Sequence, residues 1–303
     1  MSVTKSTEVS MTAVPAVAAI PAIWRRGTIV EAFYCDLGSQ MALIFHKRPA
    51  LIAYLTCGDP DLATTREVAL AAIDAGAQVI ELGVPFSDPV ADGPVIQRAS
   101  ERALANGVTL AQVIGLGREV RQARPQAGLI VFSYLNPILR FGVERFCAAA
   151  ADAGLDGALV TDLTVEEANE YLACMRSRKL ATVFLAAPTS TDQRLRRITA
   201  ACSGFVYAVS RTGVTGTRQE LAADARELVG RLRRYTKLPV AVGFGISTAE
   251  QFAAVGQFAD AGVVGSAIVQ TIEKAGRGKA AEAVGALVQG MIGAVSRQAE
   301  GIE

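Results

Sequence analysis

From residue 50 onward, short apolar segments rich in Val, Ile and Leu alternate with longer segments in which apolar residues recur at helical spacing. Continuous apolar runs of this kind are typical of parallel strands that are buried on both faces. Eight runs are present, at residues 50–56, 79–84, 129–135, 157–162, 181–186, 205–210, 239–244 and 262–265. Eight strand–helix units in about 250 residues predict a (β/α)8 barrel, the α/β fold known as the TIM barrel.

Helices are predicted between the strands and after the last one, at residues 62–75, 95–106, 110–123, 143–153, 165–179, 192–201, 221–235, 249–259 and 280–296. Ala-Gly pairs at 75–76, 153–154 and 261–262 are expected to end helices, because glycine readily adopts the left-handed conformation of a C-cap. An open doubly wound sheet is the structural alternative. It is less favoured because no G-x-G-x-x-G pattern follows the first strand.

Residues 1–48 precede the alternating pattern. We expect a partly disordered N-terminal extension here, followed by one catalytic domain at residues 49–303, with residues 28–41 forming a helix that caps the barrel floor. The apolar stretch at 13–24 contains Pro15 and Pro21 and is preceded by a single basic residue, Lys5. It is too short for a membrane span and weak as a secretory signal, so we interpret it as a poorly ordered tail. A start codon assigned too early, with translation beginning at Met11 or Met41, is the other interpretation.

The charged and metal-binding residues exclude several classes of function. Thirty Lys and Arg against 29 Asp and Glu give a net charge of +1, which offers no basic surface for nucleic acid or an anionic membrane. The single histidine, His46, excludes sites that need two or more histidines. Five cysteines without a C-x-x-C pattern argue against zinc and a disulfide framework. They favour a reducing compartment, and we expect a cytoplasmic location.

An acidic motif follows the second predicted strand, at the end of the barrel where enzymes of this fold hold their active sites. Glu81 lies within the apolar strand itself, where a carboxylate is costly unless it is paired or protonated. It is either a structural ion pair or a general acid/base with a raised pKa. Asp88 and Asp92 lie in the proline-rich loop that follows. Such aspartates usually form turns, but two carboxylates in different environments can divide acid and base roles.

Glycine-containing turns follow the last three predicted strands, at residues 210–217, 243–248 and 265–268, and the last one opens a short helical stretch. Glycine lets backbone N–H groups approach an anion closely, and the start of a helix adds a favourable dipole. One such turn is weak evidence. Three of them at consecutive late strands favour the phosphate site that is common in this fold.

These motifs resemble those of the tryptophan synthase alpha chain family. The segment ELGVPFSDPVADGP at 81–94 is similar to the family signature. LTCGDP at 55–60, SRTGVTG at 210–216, GFGIS at 243–247 and GSAIV at 265–269 fit the same family in the same order. The resemblance runs from about residue 49 to the C-terminus, where the barrel pattern also lies. The acidic motif is highly specific, whereas the glycine turns are shared with other phosphate-binding barrels.

The resemblance implies retro-aldol cleavage of indole-3-glycerol phosphate to indole and glyceraldehyde 3-phosphate, without a metal or a cofactor in this chain. Glu81 matches the acid/base that moves protons at indole C3 and at the glycerol hydroxyl. Asp92 matches the carboxylate at the indole N–H. The matching phosphate-binding positions are Gly216, Gly245, Gly265 and Ser266, and the matching pocket wall is Tyr54, Phe132, Leu159, Tyr207, Thr215 and Phe244. Plain barrel core is the alternative for each wall residue.

The family also implies a partner, a pyridoxal-phosphate beta subunit in an alpha2beta2 assembly. The docking positions that match are Asp88, Pro89 and Asn136, and the pyridoxal phosphate belongs to the partner. Tyr134 and Asp162 match family positions as well. Loop 211–219 is expected to close as a lid, with Thr215 positioning the carboxylate of Asp92.

The chain departs from the family pattern at three places. Gly38 interrupts the amphipathic segment before the first strand, and Thr164 stands where the family often has proline. Tyr54 replaces a frequent phenylalanine and adds a hydroxyl that needs a partner. Three other functions remain open: a stand-alone indole-3-glycerol phosphate lyase, a catalytically silent allosteric subunit, and another phosphate-binding barrel such as a sugar-phosphate isomerase.

Overall fold

The computed structural model describes residues 44–45, 49–209, 218–243 and 245–299. Within these ranges, eight parallel strands form a closed barrel in which each strand pairs with the next along the chain and the last pairs with the first. The predicted (β/α)8 barrel is therefore confirmed, and the open doubly wound sheet is not observed. The strands are β1 (Ala50–Thr56), β2 (Val79–Gly83), β3 (Gly128–Ser133), β4 (Gly157–Val160), β5 (Ala181–Ala186), β6 (Val206–Val209), β7 (Val240–Gly243) and β8 (Ala261–Val264).

The helices form a layer around the barrel. They are α1 (Leu62–Asp74), α2 (Pro94–Ala105), α3 (Leu110–Ala123), α4 (Leu135–Phe141), α5 (Val143–Asp152), α6 (Asn169–Ser177), α7 (Asp192–Ala201), α8 (Arg218–Leu232), α9 (Ala249–Gly256), α10 (Ser266–Ala275) and α11 (Ala280–Ala299). None of the helices in the described ranges combines the length and the apolar character that crossing a membrane requires.

Local side-chain chemistry explains where several helices begin and end. Thr109 and Thr248 each form a reciprocal capping box with the glutamine three residues later, which starts α3 and α9. Gly76 and Gly154 have φ of +113° and +75°, so the expected glycine ends of α1 and α5 are confirmed. The prediction for Gly262 is wrong. This residue lies inside β8, where its lack of a side chain admits the ring of Phe252.

The lower part of the barrel interior is filled by apolar side chains from alternate positions of the strands. Phe45 is only 3% exposed and belongs to this interior cluster with Ile52, Val79 and Phe205. The rings of Phe45 and Phe205 meet edge to face, with their centroids 5.7 Å apart. Phe45 thus closes the floor of the barrel, although it lies in the segment predicted as an extension. The helix predicted at 28–41 lies outside the described residues, and the domain boundary at 48/49 stays a prediction.

Candidate active site

Glu81 lies in the middle of β2, where strand register places it between Tyr54 of β1 and Ile130 of β3. Its side chain is fully buried, and neither carboxylate oxygen has a hydrogen-bond partner among the described residues. The structural alternative, an ion pair inside the barrel, therefore has no support in this part of the chain. Burial raises the pKa of Glu81 to about 8, because the apolar surroundings disfavour the charged form. At neutral pH the group is mostly a neutral acid.

Asp92 lies in the loop after β2 and is held there by a tyrosine from the next strand–helix connection. The hydroxyl of Tyr134 donates a hydrogen bond to Asp92 Oδ2 at 3.1 Å and accepts one from the N–H of Ala91 at 2.9 Å. Tyr134 is 2% exposed, and its ring packs against Phe86 with centroids 5.1 Å apart. Burial raises the pKa of Asp92 to about 6, and the bond from Tyr134 opposes that rise.

The two carboxyl groups therefore hold different charge states at the same pH. Near pH 7, Glu81 keeps its proton and Asp92 is mostly an anion, since the pKa of the first is about 8 and that of the second about 6. Different environments of this kind allow one carboxyl group to serve as an acid while the other, as an anion, stabilises positive charge in the same site. Burial first, and then the charges of Glu81 and Asp92, raise the pKa of Tyr207, so both carboxyl groups act on this tyrosine.

Aromatic side chains surround the space above Glu81. The ring of Tyr54 meets the ring of Phe132 edge to face, with centroids 5.0 Å apart. Leu159 lies opposite Phe132 in the register of β3 and β4 and is fully buried. Tyr207 enters from β6, across the barrel, and its hydroxyl lies over Gly243, which has no side chain to block it. An apolar, aromatic surface of this type suits a flat ring.

The start of α10 follows β8 and therefore lies at the same end of the barrel as the loop that carries Asp92. Gly265 precedes the first residue of the helix, Ser266, and a side chain at Gly265 would approach Tyr54 Cβ to 3.6 Å. The first turn of α10 carries no acidic residue, so its free N–H groups remain available to an anion. Gly245 follows β7 with φ of +56° and open space on the side where a Cβ would lie. These three residues occupy the turns that the sequence assigned to phosphate.

The loop after β2 and the helix α4, which follows β3, form a neighbouring rim. Asp88 and Asn136 are exposed, and Pro89 is half-buried. The rim also presents two exposed apolar side chains that the sequence analysis missed, Val90 at 76% and Leu139 at 56%. Val90 stands out in the sequence as an apolar residue in a polar loop, whereas Leu139 lies among other apolar residues of α4 and gave no such signal.

Asp162 links the loop after β4 to the segment that follows β3. Its Oδ1 accepts a hydrogen bond from the N–H of Leu135 at 2.7 Å and so holds the first turn of α4. Three of the predicted site residues, Thr215, Gly216 and Phe244, lie outside the described residues, as does most of the predicted lid at 211–219. Within the described ranges, no group of three or more His, Cys, Asp or Glu side chains is placed to hold a metal ion.

Comparison with known proteins places the chain in a family. The family model described as tryptophan synthase alpha chain matches residues 41–295. A tryptophan synthase alpha chain from Solibacter usitatus is 54% identical over 227 residues, which cover 75% of this chain and 85% of that protein. One from Geobacter sulfurreducens is 48% identical over 237 residues, covering 78% of this chain and 89% of that protein.

Solved structures agree with the sequence relatives. The tryptophan synthase subunit alpha of Legionella pneumophila superposes with a TM-score of 0.77 at 35% identity, covering 88% of this chain and 98% of that one. A chain from a crystal structure of tryptophan synthase from M. tuberculosis superposes with a TM-score of 0.74 at 33% identity, covering 89% and 99%. The extent of the family match and the identity of these relatives show that the chain belongs to the tryptophan synthase alpha chain family.

Proposed function

We propose that this chain cleaves indole-3-glycerol phosphate to indole and glyceraldehyde 3-phosphate, as the alpha subunit of a tryptophan synthase. Membership of the family supports this activity. The observation that carries the assignment of the site is Glu81, a fully buried carboxyl group in the barrel interior with no hydrogen-bond partner among the described residues. A buried carboxyl group without hydrogen bonds lowers the stability of the fold. Such a cost is expected at an active site, where the chemistry requires the group.

In the proposed reaction, protonated Glu81 transfers its proton to indole C3. The ring then carries a positive charge and can accept the electron pair of the bond that joins C3 to the glycerol carbon. The hydroxyl on that carbon loses its proton to the Glu81 carboxylate, the C–C bond breaks, and the carbon becomes the aldehyde. Glu81 ends with the proton state in which it began, which is the behaviour of a general acid/base.

Asp92 is proposed to stabilise the charge that develops on the ring. A carboxylate beside the indole N–H favours the cationic ring over the neutral one, because opposite charges attract strongly in a poorly solvated site. The hydroxyl of Tyr134 keeps the Asp92 carboxylate in place through the bond at 3.1 Å. A pKa of about 6 leaves Asp92 mostly ionised at neutral pH, as this role requires.

We assign the two parts of the substrate to two different groups of residues. We assign the phosphate to the first turn of α10, with Gly245, Gly265 and Ser266, and with Gly216 from the region outside the described residues. The indole ring is assigned to a slot with Tyr54, Phe132, Leu159 and Tyr207 in its wall, together with Phe244 and Thr215. The lid role of residues 211–219 and the positioning of Asp92 by Thr215 stay predictions.

We further propose that a beta subunit docks on the rim that carries Asp88, Pro89 and Asn136. Two exposed apolar side chains on the same rim, Val90 and Leu139, support an interface there. The pyridoxal phosphate of the complex belongs to that partner. We place the chain in the cytoplasm. The four cysteines within the described ranges are all free thiols, in keeping with a reducing compartment.

The test is indole release from indole-3-glycerol phosphate, measured for the isolated chain and for its mixture with a tryptophan synthase beta subunit. We expect activity that rises on mixing. Glu81→Gln should lose at least about 10²-fold in rate, whereas Glu119→Gln, an exposed substitution on α3, should retain wild-type activity. High activity alone with no gain on mixing would indicate a stand-alone lyase. No release in either case would indicate a silent subunit and would refute the proposed reaction.

A further inference from the structure

Tyr54 contacts both the start of α10 and the aromatic wall. Its Cβ lies beside Gly265 at the start of α10, and its ring packs against Phe132 in the aromatic wall. Its hydroxyl reaches β2 and lies over Gly83, two residues beyond Glu81, where a Cβ at Gly83 would approach that oxygen to 2.5 Å. The side chain is 5% exposed. Tyr54 therefore extends from the proposed phosphate site toward Glu81, the proposed acid.

The hydroxyl of Tyr54 has an unused hydrogen. Among the described residues it takes part in one weak bond, in which Thr56 Oγ1 donates to it at 3.5 Å, and none of these residues accepts its own proton. Burial, and then the negative charge of Asp92, raise the pKa of Tyr54 well above its usual value, so the group is a donor at any physiological pH. A buried donor without an acceptor costs free energy until one arrives.

Glu81 lies on the adjacent strand, at the position that pairs with Tyr54, and its carboxyl group also lacks hydrogen-bond partners in the described part of the chain. Both of its oxygens lack a hydrogen-bond partner among the described residues. A ligand oxygen between these two side chains would satisfy both. The three-carbon chain of indole-3-glycerol phosphate, which links the ring to the phosphate, carries two hydroxyl groups and would cross this space.

We propose that the Tyr54 hydroxyl donates a hydrogen bond to a glycerol hydroxyl of the substrate, and that Tyr54 thereby makes the site selective for a hydroxylated chain. This inference rests on the proposed function, and it adds a specificity contact that a phenylalanine at the same position could not make. The ring of Tyr54 would line the pocket in either case. Only the phenolic oxygen distinguishes substrates with and without hydroxyl groups.

The experiment compares two ligands on Tyr54→Phe and on the wild-type chain. One is indole-3-glycerol phosphate, followed by kcat/KM for indole release. The other is 3-(indol-3-yl)propyl phosphate, which keeps the ring, the three-carbon chain and the phosphate but lacks both hydroxyls, followed by its inhibition constant. We expect kcat/KM to fall by about 3- to 10-fold, the value of one neutral hydrogen bond. The inhibition constant of the deoxy ligand should stay the same or decrease, because the variant no longer buries an unsatisfied donor.

Tyr171→Phe is the matched control. Tyr171 is also 5% exposed, but it lies on α6, and its hydroxyl bonds to the carbonyl of Ala158 at 3.4 Å outside the barrel interior. Both ligands should behave on this variant as on the wild type. Equal losses for the two ligands on Tyr54→Phe would show a packing effect and overturn the inference, as would no change for either. A wild-type chain that releases no indole would overturn the proposed function itself.

Discussion

In the proposed reaction one buried carboxyl group, that of Glu81, transfers the protons, and its pKa makes the expected rate depend on pH. Under the proposed mechanism, Glu81 must hold a proton to act as the acid, and Asp92 must be ionised to stabilise the ring. Burial raises the pKa of Glu81 to about 8 and that of Asp92 to about 6. The active combination therefore exists mainly between these two values.

We expect kcat/KM for indole release to follow a bell-shaped pH profile with a maximum between about 6 and about 8. Activity falls at lower pH as Asp92 takes up a proton, and at higher pH as Glu81 loses one. Steady-state rates from pH 5 to 9.5 in buffers of constant ionic strength measure both limbs. In Asp92→Asn the acidic limb should disappear along with most of the activity. A flat profile would show that neither group titrates in the reaction.

Glu81 should also lower the stability of the fold as pH rises. In the unfolded chain it loses its proton near pH 4.5, whereas in the folded chain it keeps the proton to about pH 8. Because a raised folded-state pKa gives stability that is lost as pH rises between these values, the wild type should weaken relative to Glu81→Gln across that range. We expect the difference in unfolding free energy to grow by about 2 kcal/mol from pH 5 to pH 7. Urea denaturation measures it, with Glu119→Gln as the control, and a constant difference would contradict the raised pKa.

At the scale of elements, one arginine joins the helix after the acidic loop to the helix that we assign to phosphate binding. Arg102 on α2 binds both oxygens of the buried Asp59 at 2.8 Å and Glu273 on α10 at 2.9 Å. Asp59 belongs to the loop after β1 and is 4% exposed. Asn106 holds the same loop by bonding to the carbonyls of Gly58 and Pro60. The mouth of the barrel is thus fixed by contacts between three separate segments.

Arg102→Gln should destabilise the fold by about 2 kcal/mol, because it leaves the Asp59 carboxylate buried without its cation. Arg124→Gln is the matched comparison. Arg124 also binds both oxygens of an aspartate, Asp74, at 2.6 Å, but Asp74 is 54% exposed and water can replace the bond. We expect little change there. Denaturant midpoints of the two variants measure these losses of stability. Equal losses would show that the burial of Asp59 does not determine the cost of removing its cation.

The elements that sequence analysis predicted best are those whose signals are local. Strands 50–56 and 181–186 and helices 110–123 and 192–201 have the predicted bounds, since their apolar periodicity and caps lie within the segment. The third strand was predicted to reach Leu135 but ends at Ser133, because the distant Asp162 captures the N–H of Leu135 and starts α4. The helix predicted from 165 begins at Asn169, and Glu166 instead pairs with Arg194 and Arg197 on α7.

The site likewise combines a feature that a local sequence pattern reveals with contacts that no local pattern reveals. Glu81 could be recognised as unusual from its position within an apolar strand. The bond from Tyr134 to Asp92 joins residues 42 positions apart, so no local pattern could reveal it. The orientation of Tyr54 toward Gly83 likewise depends on strand register. Residue types at strand ends were sufficient to propose the site, whereas its internal contacts required the folded barrel.

At the scale of the whole molecule, the barrel floor and the preceding segment should contribute very differently to stability. Phe45→Ala should cost about 3 kcal/mol, because it removes a buried ring that packs against Phe205. Deleting residues 1–30 should leave melting and activity little changed, since their sequence lacks a consistent amphipathic pattern. Thermal denaturation and indole release of the two variants give the comparison. A large loss on truncation would show that the extension contributes to the folded enzyme.

The glycine beneath Tyr207 has a consequence for how this enzyme could acquire new substrates. A methyl group at Gly243 would overlap the Tyr207 hydroxyl, so the two positions share one volume. Gly243→Ala is expected to be deleterious while the tyrosine is present and tolerated once a smaller residue stands at 207. The substitution at position 207 must therefore come before the substitution at position 243. A library intended to widen the range of accepted indoles should randomise the two codons together.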